Sequence, residues 1–311
     1  MSTLPSKRTG KQCVSVSFPE LLQLSKSSNQ LSLSTIRVRS LQSGQHLSRL
    51  LGRGMEFAES RHYQAGDDIR NIDWRVTART GKPHTKLFAA EKERRVFLCV
   101  DMRSSMFFAT RGVFKSVQAA LMMGYIAWNA VQTGNRLGGM IFDDVNRFEF
   151  RPLLGKRGVL PFLQRLAESA SFSSQRRESR PEPIMDHIFA SIKQMTSPGS
   201  LVFVMSDFRG LSSHAHECLI QIARHSDLRL CLVYDPLEAA LPKNGHFPVT
   251  NGSDELQLNT YDKRALENYQ RQFIERRDKV ASLGRQRHIH FLECSTEDNC
   301  FEVLKENFTR N

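Results

Sequence analysis

The segment 95-RVFLCVDMRSSM-106 is the clearest indication of fold class in this chain. Its apolar run, 96-VFLCV-100, is continuous rather than alternating, which is typical of a strand buried on both faces of a parallel sheet. The run ends in a polar loop that begins at Asp101. No G-x-G-x-x-G follows this strand, and no G-x-x-x-x-G-K-[ST] occurs in the chain. The segment therefore argues against dinucleotide-binding and P-loop folds.

Strands and helices alternate from residue 96 onward. The predicted strands are Arg95–Val100, Leu137–Phe142, Phe148–Pro152, Leu201–Met205, Leu228–Tyr234 and His288–Leu292. Apolar residues three and four positions apart predict helices at 113–131, 159–170, 184–195, 213–226, 261–283 and 298–308. Residues 235–258 are predicted to be a loop. This alternation implies a doubly wound, mostly parallel α/β sheet.

The preceding residues have two different compositions. Residues 1–34, rich in Ser, Gln and Leu, are predicted to be an N-terminal extension that is partly disordered, with one short helix at 19–26. Residues 35–95 are predicted to be a small β-rich unit, because short runs without helical periodicity alternate with glycine turns. Those runs are Met55–Tyr63, Ile72–Arg79 and His84–Ala89. Residues 96–311 are predicted to form the α/β domain.

Composition narrows the class of protein. The chain has 311 residues, and its apolar runs are far shorter than the ~20 residues that a membrane span needs. Its first residues are basic but lead into no apolar segment, so we expect neither secretion nor membrane insertion. The six cysteines include no C-x-x-C pair, which is typical of a reducing compartment. These features predict a soluble cytoplasmic protein.

The net charge of +12 favours anionic partners. The basic residues are scattered, however, apart from small clusters at 92-KERR-95 and 176-RRESR-180. No aromatic residues interleave with them to stack on bases. The composition therefore does not favour nucleic acid as the partner.

Acidic residues follow four of the predicted strands, at Asp101, Asp143–Asp144, Asp207 and Asp235. In doubly wound sheets the functional crevice lies beyond the carboxyl ends of the strands, so these side chains are candidates for one polar site. The structural alternative is that Asp is common in turns and at helix N-caps. A phosphatase of the haloacid dehalogenase type is disfavoured, because it needs a second aspartate where Arg103 stands.

The pair 101-DMRSSM-106 and 206-SD-207 resembles the metal-ion-dependent adhesion site of von Willebrand factor A domains. The resemblance implies a fold of that type and a Mg²⁺ site with Asp101, Ser105 and Asp207 as ligands, since hard oxygen donors suit this ion. Two departures count against metal binding. Arg103 replaces a serine, and only Asp186 stands near the place of the expected threonine. We expect Arg103 to pair with the carboxylates as a built-in cation and to leave Mg²⁺ affinity weak or absent.

The segment 52-GRGMEFAESRHYQAGDDIRNIDWRVTARTGKPHTKLF-88 is similar to the signature of family 58 of the domains of unknown function. The matching residues are Gly52, Gly54, Glu56, Phe57, Arg61, Tyr63, Gly66, Asp67, Asp68, Arg70, Asp73, Trp74, Ala78 and Arg79. This resemblance implies MoxR-type AAA+ ATPases and other A-domain proteins as partners, in a chaperone or complex-maturation system.

The acidic and basic residues of this signature have two alternative roles. One is a buried salt-bridge network that clamps the β-rich unit onto the α/β domain, with Trp74 as an apolar plug, since buried charges are expected to pair. The other is direct contact with a partner. The candidate residues are Arg61, Tyr63, Gly66, Asp67, Asp68, Arg70, Asp73, Trp74 and Arg79.

Two functions of different classes follow. The first is a non-catalytic protein-binding adaptor for a MoxR-type ATPase, with no catalytic residue and Mg²⁺ as the one cofactor to test. The second is a nucleic-acid-binding or metal-dependent nuclease-like protein that uses Asp67, Asp68 and Asp73 with Lys86.

Overall fold

A computed structural model gives the fold of two compact units, one of Met1–Val38 with Arg94–Asn311 and the other of Arg39–Glu93. The residues that the structure describes are 10–31, 55–64, 66–67, 69–90, 94–171, 184–242, 245–250, 255–286 and 288–309. The helices are α1 Lys11–Val14, α2 Phe18–Gln23, α3 Ser25–Ser28, α4 Trp74–Thr80, α5 Lys115–Gln132, α6 Lys156–Ala170, α7 Ile184–Met195, α8 Ser213–Ala223, α9 Pro236–Ala239, α10 Lys263–Leu283 and α11 Cys300–Thr309. The strands are β1 Met55–His62, β2 His84–Ala90, β3 Arg95–Asp101, β4 Arg136–Phe142, β5 Arg147–Leu154, β6 Leu201–Ser206, β7 Asp227–Tyr234, β8 His246–Thr250, β9 Glu255–Asn259 and β10 Ile289–Ser295.

The larger unit is built on a six-stranded sheet in the order β10-β7-β6-β3-β4-β5. Every neighbouring pair is parallel except β4 and β5, so β5 is an antiparallel edge strand. The predicted mostly parallel α/β architecture is confirmed. Since β3 lies inside this sheet, its apolar run is covered on both faces.

The two faces of the sheet carry separate apolar cores. Successive side chains of a strand point to opposite faces. Accordingly Val96, Leu98 and Val100 pack in one core, whereas Phe97 and Cys99 pack in the other. The first core also contains residues of α5, α6 and α11, and the second contains residues of α7, α8 and α10.

Helix α5 is buried from Lys115 through Ala130, and short N-terminal helices cover part of it. The Trp128 indole nitrogen donates a hydrogen bond to the Leu21 carbonyl oxygen at 2.9 Å. The Asn129 amide donates to the carbonyl oxygens of Ser28 and Leu31 at 2.8 and 2.7 Å. Residues 10–31 of the predicted extension therefore contribute to the core of the larger unit.

The helix predicted at 19–26 is observed as α2 followed by α3. A capping box starts α2, in which the Ser17 hydroxyl oxygen accepts from the Glu20 amide and the Glu20 carboxylate accepts from the Ser17 amide.

The smaller unit contains the predicted β structure and one helix that was not predicted. Strands β1 and β2 pair as an antiparallel hairpin. The run Ile72–Arg79, predicted as part of the β structure, instead contains helix α4. The physical reason is that Asp73 caps the helix, accepting from the amides of Arg75 and Val76, and Gly81 ends it with a φ of 68°.

The prediction of a loop at 235–258 was also wrong. This stretch contains helix α9, and β8 and β9 pair as an antiparallel hairpin. Among the residues described, no helix is both long and apolar enough to cross a membrane.

Candidate functional site

Two buried aspartates lie at the carboxyl edge of the central sheet. Asp101 is the last residue of β3, Asp207 directly follows β6, and both are 0% exposed. Strands β3 and β6 are parallel neighbours, so their carboxyl ends meet at the same edge. The structure thus brings together two residues that the sequence analysis selected as metal ligands.

Arg103 covers these aspartates. Its Nε lies 3.0 and 3.1 Å from the two carboxylate oxygens of Asp101, and its Nη2 lies 2.6 Å from Asp101 Oδ2. The same Nη2 is 3.5 Å from Asp207 Oδ1. Burial lowers the pKa of Arg103, but attraction to Asp101 and Asp207 outweighs burial and raises it above its usual value. Arg103 therefore stays charged and pairs with both carboxylates.

Lys115 supplies a second buried cation that sequence reasoning missed. Its side chain is 0% exposed, and its Nζ lies 3.1 Å from Asp207 Oδ2 and 2.7 Å from Glu238 Oε1. A cation in the first turn of a helix is opposed by the helix dipole. The lysine at the start of an otherwise uncharged helix was thus a signal in the sequence that nearby carboxylates would compensate it.

Arg209 extends the cluster toward solvent. Its Nη2 lies 2.6 Å from Glu238 Oε1, and its Nε lies 3.5 Å from Asp207 Oδ2. Burial alone would raise the pKa of Asp207, but Lys115, Arg103 and Arg209 lower it well below the usual range. Glu238 is positioned by the capping box 235-DPLE-238 at the start of α9.

Arg276 of α10 is electrostatically coupled to the same carboxylates. Burial lowers the pKa of Arg276 below its usual value, and the like charge of Arg209 lowers it further. Attraction to Asp207 and Glu238 acts in the opposite direction but does not outweigh burial. Its Nε is buried and has no hydrogen-bond acceptor among the described residues. Its guanidinium stands 5.3 Å from the centre of the Phe273 ring. No feature of the sequence pointed to this residue.

The oxygen atoms present do not fit Mg²⁺ in this arrangement. Both carboxylate oxygens of Asp101 accept from Arg103, and Asp207 contacts Arg103, Lys115 and Arg209. The Ser105 hydroxyl is buried in the same loop and has no partner among the described residues. In the part of the chain that the structure describes, no three His, Cys, Asp or Glu side chains form a metal-binding group.

The other acidic candidates near this edge stabilise loops. Asp143 accepts from the amides of Val145 and Asn146, and Asp144 accepts from the Ser104 amide at 2.7 Å. Asp235 accepts from the Thr110 amide and hydroxyl at 2.8 and 2.7 Å. Asp186, which stood near the place of the missing threonine, accepts from Ser212 at the start of α8. These contacts match the structural alternative for acidic residues in turns and caps.

In the signature segment, Arg61 and Asp67 form an ion pair at 2.6 Å. The Gln64 amide donates to Asp67 at 2.9 Å, and this bond lowers the pKa of Asp67 more than burial raises it. Gly66 has a φ of 108°, which favours glycine, so its position in the turn is explained by its backbone. Asp68, Gly52 and Gly54 lie outside the described residues.

Asp73 accepts from the Ser60 hydroxyl at 3.0 Å in addition to capping α4. The prediction that Trp74 is an apolar plug was wrong, because its side chain is 68% exposed. Tyr63 is half-buried, whereas Arg70 and Arg79 are exposed.

Comparison with known proteins identifies relatives of this chain. The family model described as "Protein of unknown function DUF58" matches residues 59–279. Uncharacterized proteins of Mycobacterium bovis and Mycobacterium tuberculosis are 30% identical to this chain over 205 residues. The match covers 65% of this chain and 62% of the length of these curated relatives.

Two solved structures are similar to this chain at low identity and low TM-score. The conserved hypothetical protein BatB from Bacteroides thetaiotaomicron superposes with a TM-score of 0.44 at 13% identity, over 70% of this chain and 98% of its own. An aerotolerance-related membrane protein from Bacteroides fragilis gives a TM-score of 0.41 at 10% identity, over 70% and 100%. Since the family model matches most of the chain, this protein belongs to the DUF58 family.

Proposed function

We propose that this protein is a non-catalytic adaptor that binds a MoxR-type AAA+ ATPase and other A-domain proteins in a chaperone or complex-maturation system. The exposure of Ile69 and Trp74 carries this proposal, since the two side chains are 65% and 68% exposed. Trp74 belongs to the family signature and Ile69 lies within the same segment, and Arg70 and Arg75 follow them directly in the sequence. Exposed tryptophan and arginine are the residue types that contribute most to protein–protein binding.

The central sheet supports a von Willebrand factor A-type domain as the finer fold. Strand β3 lies between β4 and β6, and β5 closes one edge in the antiparallel direction. The residues that resemble the adhesion site lie at this edge: Asp101 ends β3, Ser105 lies in the loop after it, and Asp207 directly follows β6. Domains of this type bind proteins through this edge, which agrees with an adaptor.

The state of the buried charges supports a role without catalysis. A general base or a metal ligand needs a free carboxylate oxygen near the reacting atom. Asp101 and Asp207 instead hold several hydrogen bonds and ion pairs with arginine and lysine. The cluster is therefore built to hold loops together and to present charge.

The nuclease alternative has weaker support. Asp67 pairs with Arg61, and Asp73 caps α4 and accepts from Ser60. Carboxylates used in this way offer few free oxygens to metal ions. These contacts favour the adaptor over a metal-dependent nuclease.

The proposal is tested by expressing the tagged chain in its own organism, crosslinking, and identifying the proteins retrieved by mass spectrometry. We expect a MoxR-type ATPase to be retrieved with the native chain and to be depleted with Trp74→Ala. The purified chain should show no Mg²⁺-dependent cleavage of single-stranded DNA. Retrieval of nucleic acid without the ATPase, or DNA cleavage lost in Asp73→Asn, would contradict the adaptor and favour the nuclease.

A further inference from the structure

Strand β5 forms one edge of the six-stranded sheet, with β4 as its single neighbour among the strands that the structure describes. Val145, in the turn before the strand, is 60% exposed. An edge strand presents backbone N–H and C=O groups that have no partner in their own sheet, and natural proteins usually protect such edges. Strand β5 is therefore a surface to which another strand can add.

The protection of this edge is confined to the second half of the strand. The register of the β4–β5 pair shifts after Phe150, where Arg151 and Pro152 stand opposite the single residue Gly138. A bulge and a proline are two of the devices that protect an edge. Residues 147–150 contain neither and pair regularly with β4, so this stretch remains open to an additional strand.

The hydrogen bonds of the β4–β5 turn show which residues face the open edge. The Asp143 amide donates to the Asn146 carbonyl oxygen at 2.9 Å, so these two residues form a hydrogen-bonded pair. Hydrogen-bonded and non-hydrogen-bonded pairs alternate along an antiparallel ladder. The regular register then makes Phe148 bond toward β4, whereas Arg147 and Glu149 direct their N–H and C=O groups outward.

These two outward residues also hold opposite charges on the same face of β5. The Arg147 Nε lies 3.4 Å from Glu149 Oε1, and the Arg147 Nη1 donates to the Ser191 hydroxyl of α7 at 3.0 Å. Both side chains stay about half exposed, at 53% and 42%. A positive and a negative charge are therefore displayed beside the open backbone groups.

This order of charges matches a second copy of the same strand. When two β5 strands meet antiparallel about a twofold axis at Phe148, Arg147 of each copy lies opposite Glu149 of the other. Opposite charges directly across such a pair stabilise it, and like charges destabilise it. An axis at Glu149 would place two glutamates opposite each other, and an axis at Phe150 would draw the bulged Arg151 into the pair.

We propose that residues 147–150 of β5 form a self-association surface, through which two copies of this chain join their central sheets. The occupant is a second copy because the alternation of Arg147 and Glu149 is complementary to itself in the antiparallel direction. Few residues take part and exposed ion pairs add little, so the dimer is weak and forms at high protein concentration. This pairing does not rest on the proposed function.

Sedimentation velocity of the full chain over a concentration series tests this surface. We expect the native sedimentation coefficient to rise with concentration. Glu149→Arg places like charges in both cross-strand pairs, so it should weaken association by about tenfold or more. The matched control is Glu217→Arg, which makes the same change of charge at an exposed position of α8 and should associate as the native chain does.

A mixing experiment tests the register. Arg147→Glu alone should weaken association as Glu149→Arg does. An equimolar mixture of the two variants restores opposite charges in both pairs, so it should associate at least as well as the native chain. Because the substituted side chains are exposed, each variant should melt at the native temperature, and recovery in the mixture excludes misfolding as the cause of the loss.

Three results would overturn the proposal. A native chain that stays monomeric up to about 1 mM has no association of measurable strength. Equal association of the native, Glu149→Arg and Glu217→Arg chains would place the interface elsewhere. Loss of association in Arg151→Glu, with none in Arg147→Glu, would move the axis from Phe148 to Phe150.

Discussion

Replacement of Lys115 by methionine tests the ion cluster most severely. The substitution keeps the length and apolar stem of the side chain and removes one charge from a position that is 0% exposed. It removes the contacts of Nζ with Asp207 at 3.1 Å and with Glu238 at 2.7 Å. Two buried carboxylates then share fewer cations.

The expected loss of stability follows from the partners that remain. Removing one partner of a buried ion pair costs about 3–5 kcal/mol, because the other charge is left uncompensated. Here Asp207 keeps Arg103 and Arg209, each at 3.5 Å, and Glu238 keeps Arg209 at 2.6 Å. We therefore expect the lower end, about 3 kcal/mol of unfolding free energy.

Urea unfolding of Lys115→Met measures this loss as a shift in the midpoint at constant slope. Lys193→Met, on the exposed side of α7, is the matched control and should stay within about 0.5 kcal/mol of native. The double variant with Glu238→Gln also removes the carboxylate nearest to the lost ammonium and should recover part of the loss. A loss below about 1 kcal/mol in Lys115→Met would refute a dry, tightly coupled cluster.

Three other outcomes follow from the same contacts. Burial raises the pKa of Asp207, but Lys115, Arg103 and Arg209 lower it below the ordinary 3.8 in the folded chain. As the pH falls, Asp207 is therefore protonated in the unfolded chain at a higher pH than in the folded chain. Stability should therefore decrease as the pH drops below about 4, and Asp207→Asn should flatten that decrease in acid titrations followed by circular dichroism. In calorimetric titrations Arg103→Ser alone should leave Mg²⁺ binding weak, because Lys115 still contacts Asp207 at 3.1 Å. The double variant Arg103→Ser with Lys115→Met should bind Mg²⁺ more tightly. Tight Mg²⁺ binding by the native chain would contradict the role of Arg103 as a built-in cation. Gly112→Ala should lower the melting temperature strongly, because its Cβ would lie 2.0 Å from a backbone oxygen, whereas Gly134→Ala shares the φ of 74° with no atom within 4 Å and should cost only strain.

The pattern of apolar residues was sufficient to predict the central sheet. A run such as 96-VFLCV-100 has no polar residue to place toward solvent, so its burial on both faces followed from composition alone. Helix α4 was missed because its boundaries depend on an N-cap at Asp73 and a left-handed Gly81 rather than on an apolar stripe. The hairpin of β8 and β9 was missed for a different reason. Its strands lie outside the central sheet, so they lack the continuous apolar runs that identify the buried strands.

The site was predictable only in part. The rule on carboxyl ends of parallel strands placed Asp101 and Asp207 together, because it depends on chain order alone. Lys115 and Glu238 reach the same cluster from two helices. Their convergence depends on how those helices pack, which local sequence does not encode. The burial of Trp74 was mispredicted because an aromatic residue in a charged segment has the same local pattern whether it is buried or exposed.

Whether this chain is an adaptor is decided by its affinity for the purified MoxR-type ATPase, measured for the native protein and for Trp74→Ala. Trp74 is 68% exposed, so its removal should leave the melting temperature unchanged. If Trp74 is a binding hot spot, the variant should lose about 2 kcal/mol, roughly a 30-fold fall in affinity. Tyr261→Ala, which changes an aromatic residue that is 59% exposed outside the signature, should bind as the native chain does. Equal affinity of the native and Trp74→Ala chains, or no measurable complex, would contradict the account.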